Sequence, residues 1–372
     1  MARGDTAWGA GVIFFEATFL FWFHLPVIIL SATFCLLVIL RGTKDAPDSE
    51  RKKQAVAVPT SGGIGIALAA FIFTPLATDF LGPVLFFDYS SAITYGGQFN
   101  ELAAWPHIAF AVSALLLGAA DDRWTLNTKL KFSLMGVAAI ATVFFGGRPE
   151  FVFLPVVDST VYLAPWITLI GCALWIFVMM NATNFMDGSN GIAMGTLVIM
   201  LIATCIKLIH TENVFILAHI PAILAAAILG FLLWNLQGKL YAGDAGSLFG
   251  GAVFASLGLY AAQDGNIWFP ATLALPFLVD VFMTLLWRAR RGHNLLTPHR
   301  HHAYQLFIRS GWTHMKTALL WWALATICAI AALWAASESK SMSAWVFFGL
   351  LGAGCALWIA QRRHFRTLAE NG

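Results

Sequence analysis

Eleven apolar runs, each about the length of a bilayer crossing, alternate with short polar connections along the chain. They lie near 14–40, 61–83, 104–120, 130–147, 163–181, 191–209, 214–234, 247–264, 268–287, 317–336 and 344–361. A helix rises about 1.5 Å per residue, so roughly 20 apolar residues cross a hydrocarbon core about 30 Å thick. Lipid offers the backbone no hydrogen bonds, so only helices or a closed barrel can span it, and runs of this length suit helices. The expected fold is all-α: a polytopic integral membrane protein with about eleven transmembrane helices. Composition agrees, with 59% apolar and 11% charged residues, where a soluble domain has about 45–50% and 25%. A soluble enzyme and a disordered chain are excluded, and no nucleic-acid partner is expected. No connection is long enough to set off a second domain, so residues 1–372 read as one membrane-embedded unit. The first run is too long for a cleavable signal peptide. Five cysteines (Cys35, Cys172, Cys205, Cys328 and Cys355) all fall inside apolar runs and read as packing residues.

The charges are sorted. Of the 22 Lys and Arg residues, all but Arg3, Arg148, Lys207 and Lys340 fall on the side of the first connection. Basic residues mark the cytoplasmic side of a membrane protein. That side is therefore expected to be cytoplasmic, with the N-terminus outside and, after an odd number of spans, the C-terminus inside. The longest outer connection lies near 87–103.

Polar residues at span ends need a reason, because burying them without a partner is costly. Five islands contain most of them, and all five fall on the expected cytoplasmic side. The first is Pro59-Thr60-Ser61-Gly62-Gly63, where glycines at a helix start leave N–H groups open to an anion. The second is Asp121-Asp122-Arg123, followed by Lys129 and Lys131. Two adjacent carboxylates become tolerable beside a divalent cation or a Lys/Arg. The third runs from Asn181 through Asn184, Asp187 and Gly188 to Asn190 and Gly191. Helical spacing spreads positions 181, 184 and 187 over roughly a third of one face, a row suited to a metal-bound phosphate or a nucleobase edge. The fourth is Asn235, then Tyr241-Ala-Gly243-Asp244-Ala-Gly246-Ser247. Here the Asp244 carboxylate is open to an oxygen-seeking cation such as Mg²⁺, and Ser247 suits a helix N-cap. The fifth is His299-Arg300-His301-His302-Ala303-Tyr304-Gln305. Without Cys or acidic neighbours it reads as a phosphate clamp rather than a zinc site. Together the islands describe a site for a metal-bound, phosphate-bearing substrate.

Their order and spelling resemble the polyprenyl-phosphate N-acetylhexosamine-1-phosphate transferase family over roughly residues 55–310. The family pattern of G-G, D-D, N-x-x-N-x-x-D-G, G-D-x-G-S and a late His motif appears here as Gly62-Gly63, Asp121-Asp122, Asn181 to Gly188, Gly243 to Ser247 and His299 to Gln305. The late motif is most similar to the branch that starts O-antigen-type glycans with a deoxy-aminosugar phosphate. Pro276 and Asp280 also match a family-like P-x-x-D, for which Arg288 or a loop histidine is the expected partner of Asp280. Asn190 stands where many relatives carry a second Asp, and the Lys common before G-G is absent, with Lys53 the nearest.

The resemblance implies that a UDP-activated aminosugar gives its sugar-1-phosphate to undecaprenyl phosphate at the cytoplasmic face of a bacterial inner membrane, releasing UMP. It implies Mg²⁺, with Mn²⁺ as a substitute, held by Asn184 and Asp244. Asp121 and Asp122 would lie by the acceptor phosphate, as metal contacts or as the base. Asp187 and Asn235 would hold the uridine side, and Asn181 and Asn190 would help to bind substrate. Gly62, Gly63 and Lys129 are further substrate-binding candidates. His299, Arg300, His301 and His302 would contact the diphosphate or sugar. Membrane lipid is a partner by composition, and a homodimer stays open. A peptidoglycan-precursor transferase is the runner-up. A transporter would instead distribute its polar residues along the spans, whereas here they gather at one side.

Overall fold

The computed structural model of the protein describes residues 24–40, 44–45, 58–85, 101–211, 215–297 and 299–370. The outer connection near 87–103 lies almost wholly outside these residues, as do Pro298, Lys53 and the beginning of the first apolar run.

Each apolar run carries a helix. These are α1 (His24–Leu40), α2 (Gly62–Leu85), α3 (Glu101–Trp124), α4 (Thr128–Phe145), α5 (Pro165–Met186), α6 (Ile192–Ile209), α7 (His219–Asn235), α8 (Gly243–Ala261), α9 (Trp268–Arg290), α11 (His314–Glu338) and α12 (Lys340–His364). Two short helices, α10 (Ala303–Arg309) and α13 (Arg366–Glu370), follow the longer elements. Six helices (α4, α5, α6, α9, α11 and α12) are long and apolar enough to cross a membrane. The protein is an all-α polytopic membrane protein. Its only described strands form a two-residue ladder, Lys44–Asp45 with Val58–Pro59, and a hairpin, Phe151–Leu154 with Ser159–Tyr162.

Local chemistry sets the helix ends. Asn127 caps α4 through its side-chain oxygen (2.9 Å from Lys129 N), Thr313 caps α11 and Ser339 caps α12. The outer faces remain apolar, as at Leu116, Val137 and Ile330, which suits lipid as the surrounding solvent.

Helix α8 is the axis of the bundle. All of its residues except Gly243, Asp244 and Val253 are buried, enclosed by α2, α3, α5 and α6. Protein rather than lipid surrounds it, so it is rich in the small residues that allow close approach. An added Cβ at Gly63 would meet Gly246 N at 2.1 Å, which shows how tightly α2 crosses α8. The other helices form a second layer, in which α9 packs on α11 and α12, and α6 on α7 and α11. The cysteines are free, and Cys35 and Cys328 are buried.

Candidate active site

The five polar islands, scattered over more than 240 residues of sequence, meet at one end of the bundle around the start of α8. Gly243 adopts φ +71°, a left-handed conformation that glycine tolerates, and an added Cβ there would meet Thr60 O at 2.0 Å. Asp122, at the end of α3, caps this helix from outside. Its Oδ1 accepts from Asp244 N (2.9 Å) and its Oδ2 from Ala245 N (3.0 Å). A carboxylate at a helix N-terminus satisfies orphan donors and favours the dipole. The expected N-cap, Ser247, instead lies one turn inside α8, where its hydroxyl donates to Gly243 O (3.0 Å).

The chain then turns sharply between α3 and α4. Thr125 takes φ +50°, which is unfavourable for a β-branched residue. The turn is held by Leu126 N donating to Asp121 Oδ1 (2.6 Å). It brings Lys131 back beneath the acids, where its ammonium bonds Asp121 Oδ2 (2.8 Å) and also Asp244 Oδ2. Lys131 is buried, whereas Lys129 is exposed on the other side of the helix. The structure thus brings Lys131, rather than the expected Lys129, into the cluster.

From α5, Asn184 donates to Asp244 Oδ1 and Ser247 Oγ, both at 2.9 Å. Asp187 follows as the residue that ends the helix, its N–H on Asn184 O. Asn181 does not join them: its amide turns back to Phe177 O (2.7 Å) on its own helix. The row of three therefore divides, with Asn184 and Asp187 at the cleft and Asn181 buried behind it.

Two further expectations change. Gly62 and Gly63 do not offer free N–H groups to an anion, because they donate to Tyr241 O (2.9 Å) and Ala242 O (3.0 Å). Their missing side chains serve close packing against α7 and α8. Asn235 is a brace: its oxygen accepts from Gly191 N (2.8 Å) and its amide donates to Leu240 O (2.9 Å), with 4% of the residue exposed. That role ties the start of α6 to the turn before α8. Asn190 stays partly exposed beside this turn.

The histidine segment packs on the same end. Tyr304 donates its hydroxyl to Phe185 O (3.1 Å), and a Cβ at Gly188 would strike that hydroxyl at 2.1 Å. This explains the glycine after Asp187. Asp280 is the anchor of the segment. Its oxygens accept from Ala303 N (2.7 Å) and Tyr304 N (3.4 Å), and His302 Nδ1 lies 3.4 Å away. Arg288, the other expected partner, instead meets His301 Nδ1 (3.0 Å) and Thr297 Oγ1 (3.2 Å). His299 stacks on the rings of His301 and His302, at centroid distances of 5.5 and 5.0 Å. Arg300 is partly exposed at the rim, its carbonyl accepting from Arg309.

Electrostatics separates these groups. Four carboxylates (Asp121, Asp122, Asp187 and Asp244) share a cleft with one ammonium, Lys131, and all four lie beyond the ends of the apolar runs. Burial pushes Asp187 well above the usual carboxylate range, and the charges of Asp244 and Asp122 add to it. Burial also raises Asp122 to about 7, against the pull of the Ala245 and Asp244 N–H groups. Burial opposes charge on Asp121 and Asp244 alike. Contact with Asp244 and Lys131 nonetheless holds Asp121 low, while Asp244 stands high. Burial pushes His299 down to about 3, and its neighbours His302, Arg288 and His301 add to the effect. Carboxylates that raise one another in a cleft concentrate negative charge there. Among the described residues, no three His, Cys, Asp or Glu side chains form a ready-made metal cage.

The chain is similar to known proteins over the segment that holds this site. Residues 105–262 match the model of glycosyl transferase family 4. The chain is 26% identical over 332 residues to the probable undecaprenyl-phosphate N-acetylglucosaminyl 1-phosphate transferase of Bacillus subtilis (strain 168), covering 88% of this chain and 87% of the relative. It is 26% identical over 298 residues to the decaprenyl-phosphate N-acetylglucosaminephosphotransferase of Mycobacterium tuberculosis (strain ATCC 25618 / H37Rv), covering 73% and 70%. It is 27% identical over 301 residues to the phospho-N-acetylmuramoyl-pentapeptide-transferase of Leuconostoc citreum (strain KM20), covering 78% and 88%. The matched segment carries the acid pair, the Asn184–Asp187 helix end and the Asp244 turn, so the chain is similar to glycosyl transferase family 4 over the part that holds the site.

Proposed function

We propose that the protein transfers an N-acetylhexosamine-type sugar-1-phosphate from a UDP-sugar to undecaprenyl phosphate, releasing UMP and starting a lipid-linked surface glycan. The observation that carries this reading is the meeting of acids from α3, α5 and α8 with the Asp280-anchored histidine segment at one end of a lipid-facing bundle. In this reading all eleven helices cross a bacterial inner membrane, with the N-terminus outside. The site end faces the cytoplasm, where its basic residues and a nucleotide-sugar would both be found.

Both reactants are anions, so the site must neutralise charge while two phosphates approach. The surplus of carboxylates suits a hard divalent cation. Mg²⁺ commonly takes one or two protein carboxylates and completes its shell with water and substrate phosphates, so it needs no closed cage. Asp244, oriented by Asn184, is the residue we assign to hold it, with Mn²⁺ as a substitute. When bound, the ion would act as a Lewis acid that stabilises negative charge developing on the transferring phosphate.

The chain's own groups have separate tasks. Lys131 and Asp121 lie where the acceptor phosphate would enter, with the ammonium ready to meet it. Asp122 holds the start of α8 in place for Asp244. Asp187 and Asn190 face the uridine side. His299, Arg300, His301 and His302 clamp the diphosphate and sugar. The acceptor phosphate is already an anion at ordinary pH, so it attacks the sugar-side phosphorus directly. The bridging oxygen then leaves with UMP, and no covalent enzyme intermediate forms. Exchange of labelled UMP into UDP-sugar without lipid should accordingly be absent, and robust exchange would establish the covalent route.

The spelling H-R-x-H-A-Y-Q supports a deoxy-aminosugar donor of the O-antigen type, whereas two of the relatives named above use N-acetylglucosamine by name. The muramoyl-pentapeptide relative favours a second reading, a peptidoglycan-precursor enzyme. Purified protein, undecaprenyl phosphate, Mg²⁺ and a panel of UDP-sugars, with UMP release as the readout, decide among them. If no sugar in the panel yields UMP, the transferase reading fails.

A further inference from the structure

The end of α12 lies outside every motif considered so far, yet it reaches the histidine segment. Gln361 Nε2 donates to Ala303 O at 2.9 Å, and Arg362 Nη2 donates to His301 O at 2.7 Å. These carbonyls flank His302. On the opposite side, Asp280 of α9 holds the N–H groups of Ala303 and Tyr304. The segment is thus gripped by its donors from α9 and by its acceptors from α12. The His301 carbonyl precedes α10 and has no place in that helix's hydrogen-bond ladder. Without Arg362 it would be a buried acceptor with its partner removed, a costly state.

Arg362 is itself held in place. Its guanidinium lies over the Trp287 ring at 4.5 Å and over the Trp358 ring at 4.4 Å, between α9 and α12. It is 7% exposed. A planar guanidinium stacked between two indoles can still direct an in-plane N–H at a carbonyl, which a lysine ammonium cannot do. The Trp287 ring also lies 5.2 Å from the His301 ring, so the grip on the backbone and the placing of the imidazole are mechanically joined.

We infer that Gln361 and Arg362 are positioning residues for the transfer, fixing the backbone of His301–Ala303 so that the histidine rings present one arrangement to the donor diphosphate. This inference rests on the reading of that segment as the diphosphate clamp. A loop that must be ordered at binding lowers apparent affinity by the fraction of time it is ordered. The cost should therefore fall on the UDP-sugar and not on the lipid acceptor.

The test uses the full-length protein in lipid nanodiscs, with Gln361→Met, Arg362→Lys and, as a control, the exposed neighbour Arg363→Gln. Steady-state kinetics would be measured for both substrates, and hydrogen–deuterium exchange would be followed on peptides covering 299–305. In Gln361→Met and Arg362→Lys, the KM for UDP-sugar should rise about three- to tenfold, the scale of one lost hydrogen bond. The KM for polyprenyl phosphate should stay unchanged, exchange in the segment should quicken, and Arg363→Gln should match the wild type. The melting temperature of Gln361→Met should not move. Unchanged exchange and unchanged KM in both variants would overturn the inference. So would a rise in both KM values together with a lower melting temperature, the signature of packing alone. If the wild type turns over no UDP-sugar, the functional reading fails instead, and the exchange measurement still decides whether α12 orders the segment.

Discussion

The two ends of the bundle treat charge in opposite ways. At the end near the Phe151–Tyr162 hairpin, Asp264 accepts from the Lys207 ammonium at 2.8 Å and from Asn266 N at 2.9 Å, and its carbonyl takes the Lys340 ammonium. Asp264 and Lys207 form an ion pair there, and the Lys340 ammonium is held by a backbone carbonyl. At the other end, four carboxylates gather around Lys131, and no described ion pair involves Asp122 or Asp187. Matched charges tie helix ends together and contribute modestly to stability. Unmatched, buried charges oppose folding and persist where a ligand completes them. The difference sets the two ends apart without reference to any motif.

The comparison is most exposed to a pair of aspartate substitutions. Asp244→Ala should lower UMP release by about a thousandfold or more, the scale of lost electrostatic stabilisation at a reacting phosphate. Asp264→Ala, at the matched end, should leave it near the wild-type rate. Equal losses in the two variants, each still monodisperse on size exclusion, would break the contrast. Lys131→Met should cut kcat/KM about a hundredfold. It should also destabilise the protein by about 2 kcal/mol, because two half-buried carboxylates lose their counter-ion. Lys207→Met should cost about 1 kcal/mol or less. Chemical denaturation in detergent compares the two lysines directly.

Packing sharpens the same contrast with a smaller effect. Gly63→Ala places a Cβ 2.1 Å from the backbone of α8, so α2 must shift, at a cost of about 1–3 kcal/mol. Gly171→Ala on α5 meets nothing within 4 Å and should leave the melting temperature unchanged. The smallest expected effect concerns pH. With His299 held to about 3 in the folded protein, the unfolded chain binds a proton between roughly pH 6.5 and 3 that the folded one does not. Its contribution to stability is therefore complete above about pH 6.5 and is lost as pH falls through that window. His299→Gln should flatten part of the decline in melting temperature between pH 7 and 5, and an unchanged slope would show that His299 is protonated in place.

Much of this architecture is legible in the sequence because bilayer thickness and helix rise leave little freedom. The eleven runs coincide with eleven helices of seventeen residues or more. Boundaries differ where a polar turn is itself helical. Helix α8 begins at Gly243, four residues before its apolar run, because Asp122 caps it from another helix. The acid pair, Asn184, Asp187 and Asp244 were legible as residues that an apolar helix has no reason to carry. The uses of Gly62, Gly63, Asn181 and Asn235 were not, since a free N–H or amide and a bonded one are spelled alike.

The sequence by itself determined that the chain enters a membrane as helices and that its polar groups are confined to a few islands at the ends of its apolar runs. Those properties depend on local composition and on period. Only the tertiary structure decided that Lys131 rather than Lys129 joins the acids, that Asp280 anchors the histidine segment, and that Gln361 and Arg362 hold its carbonyls. Each of these is a contact between helices, where a rotation of one residue, about 100° of helix, turns a side chain from the cleft to the lipid.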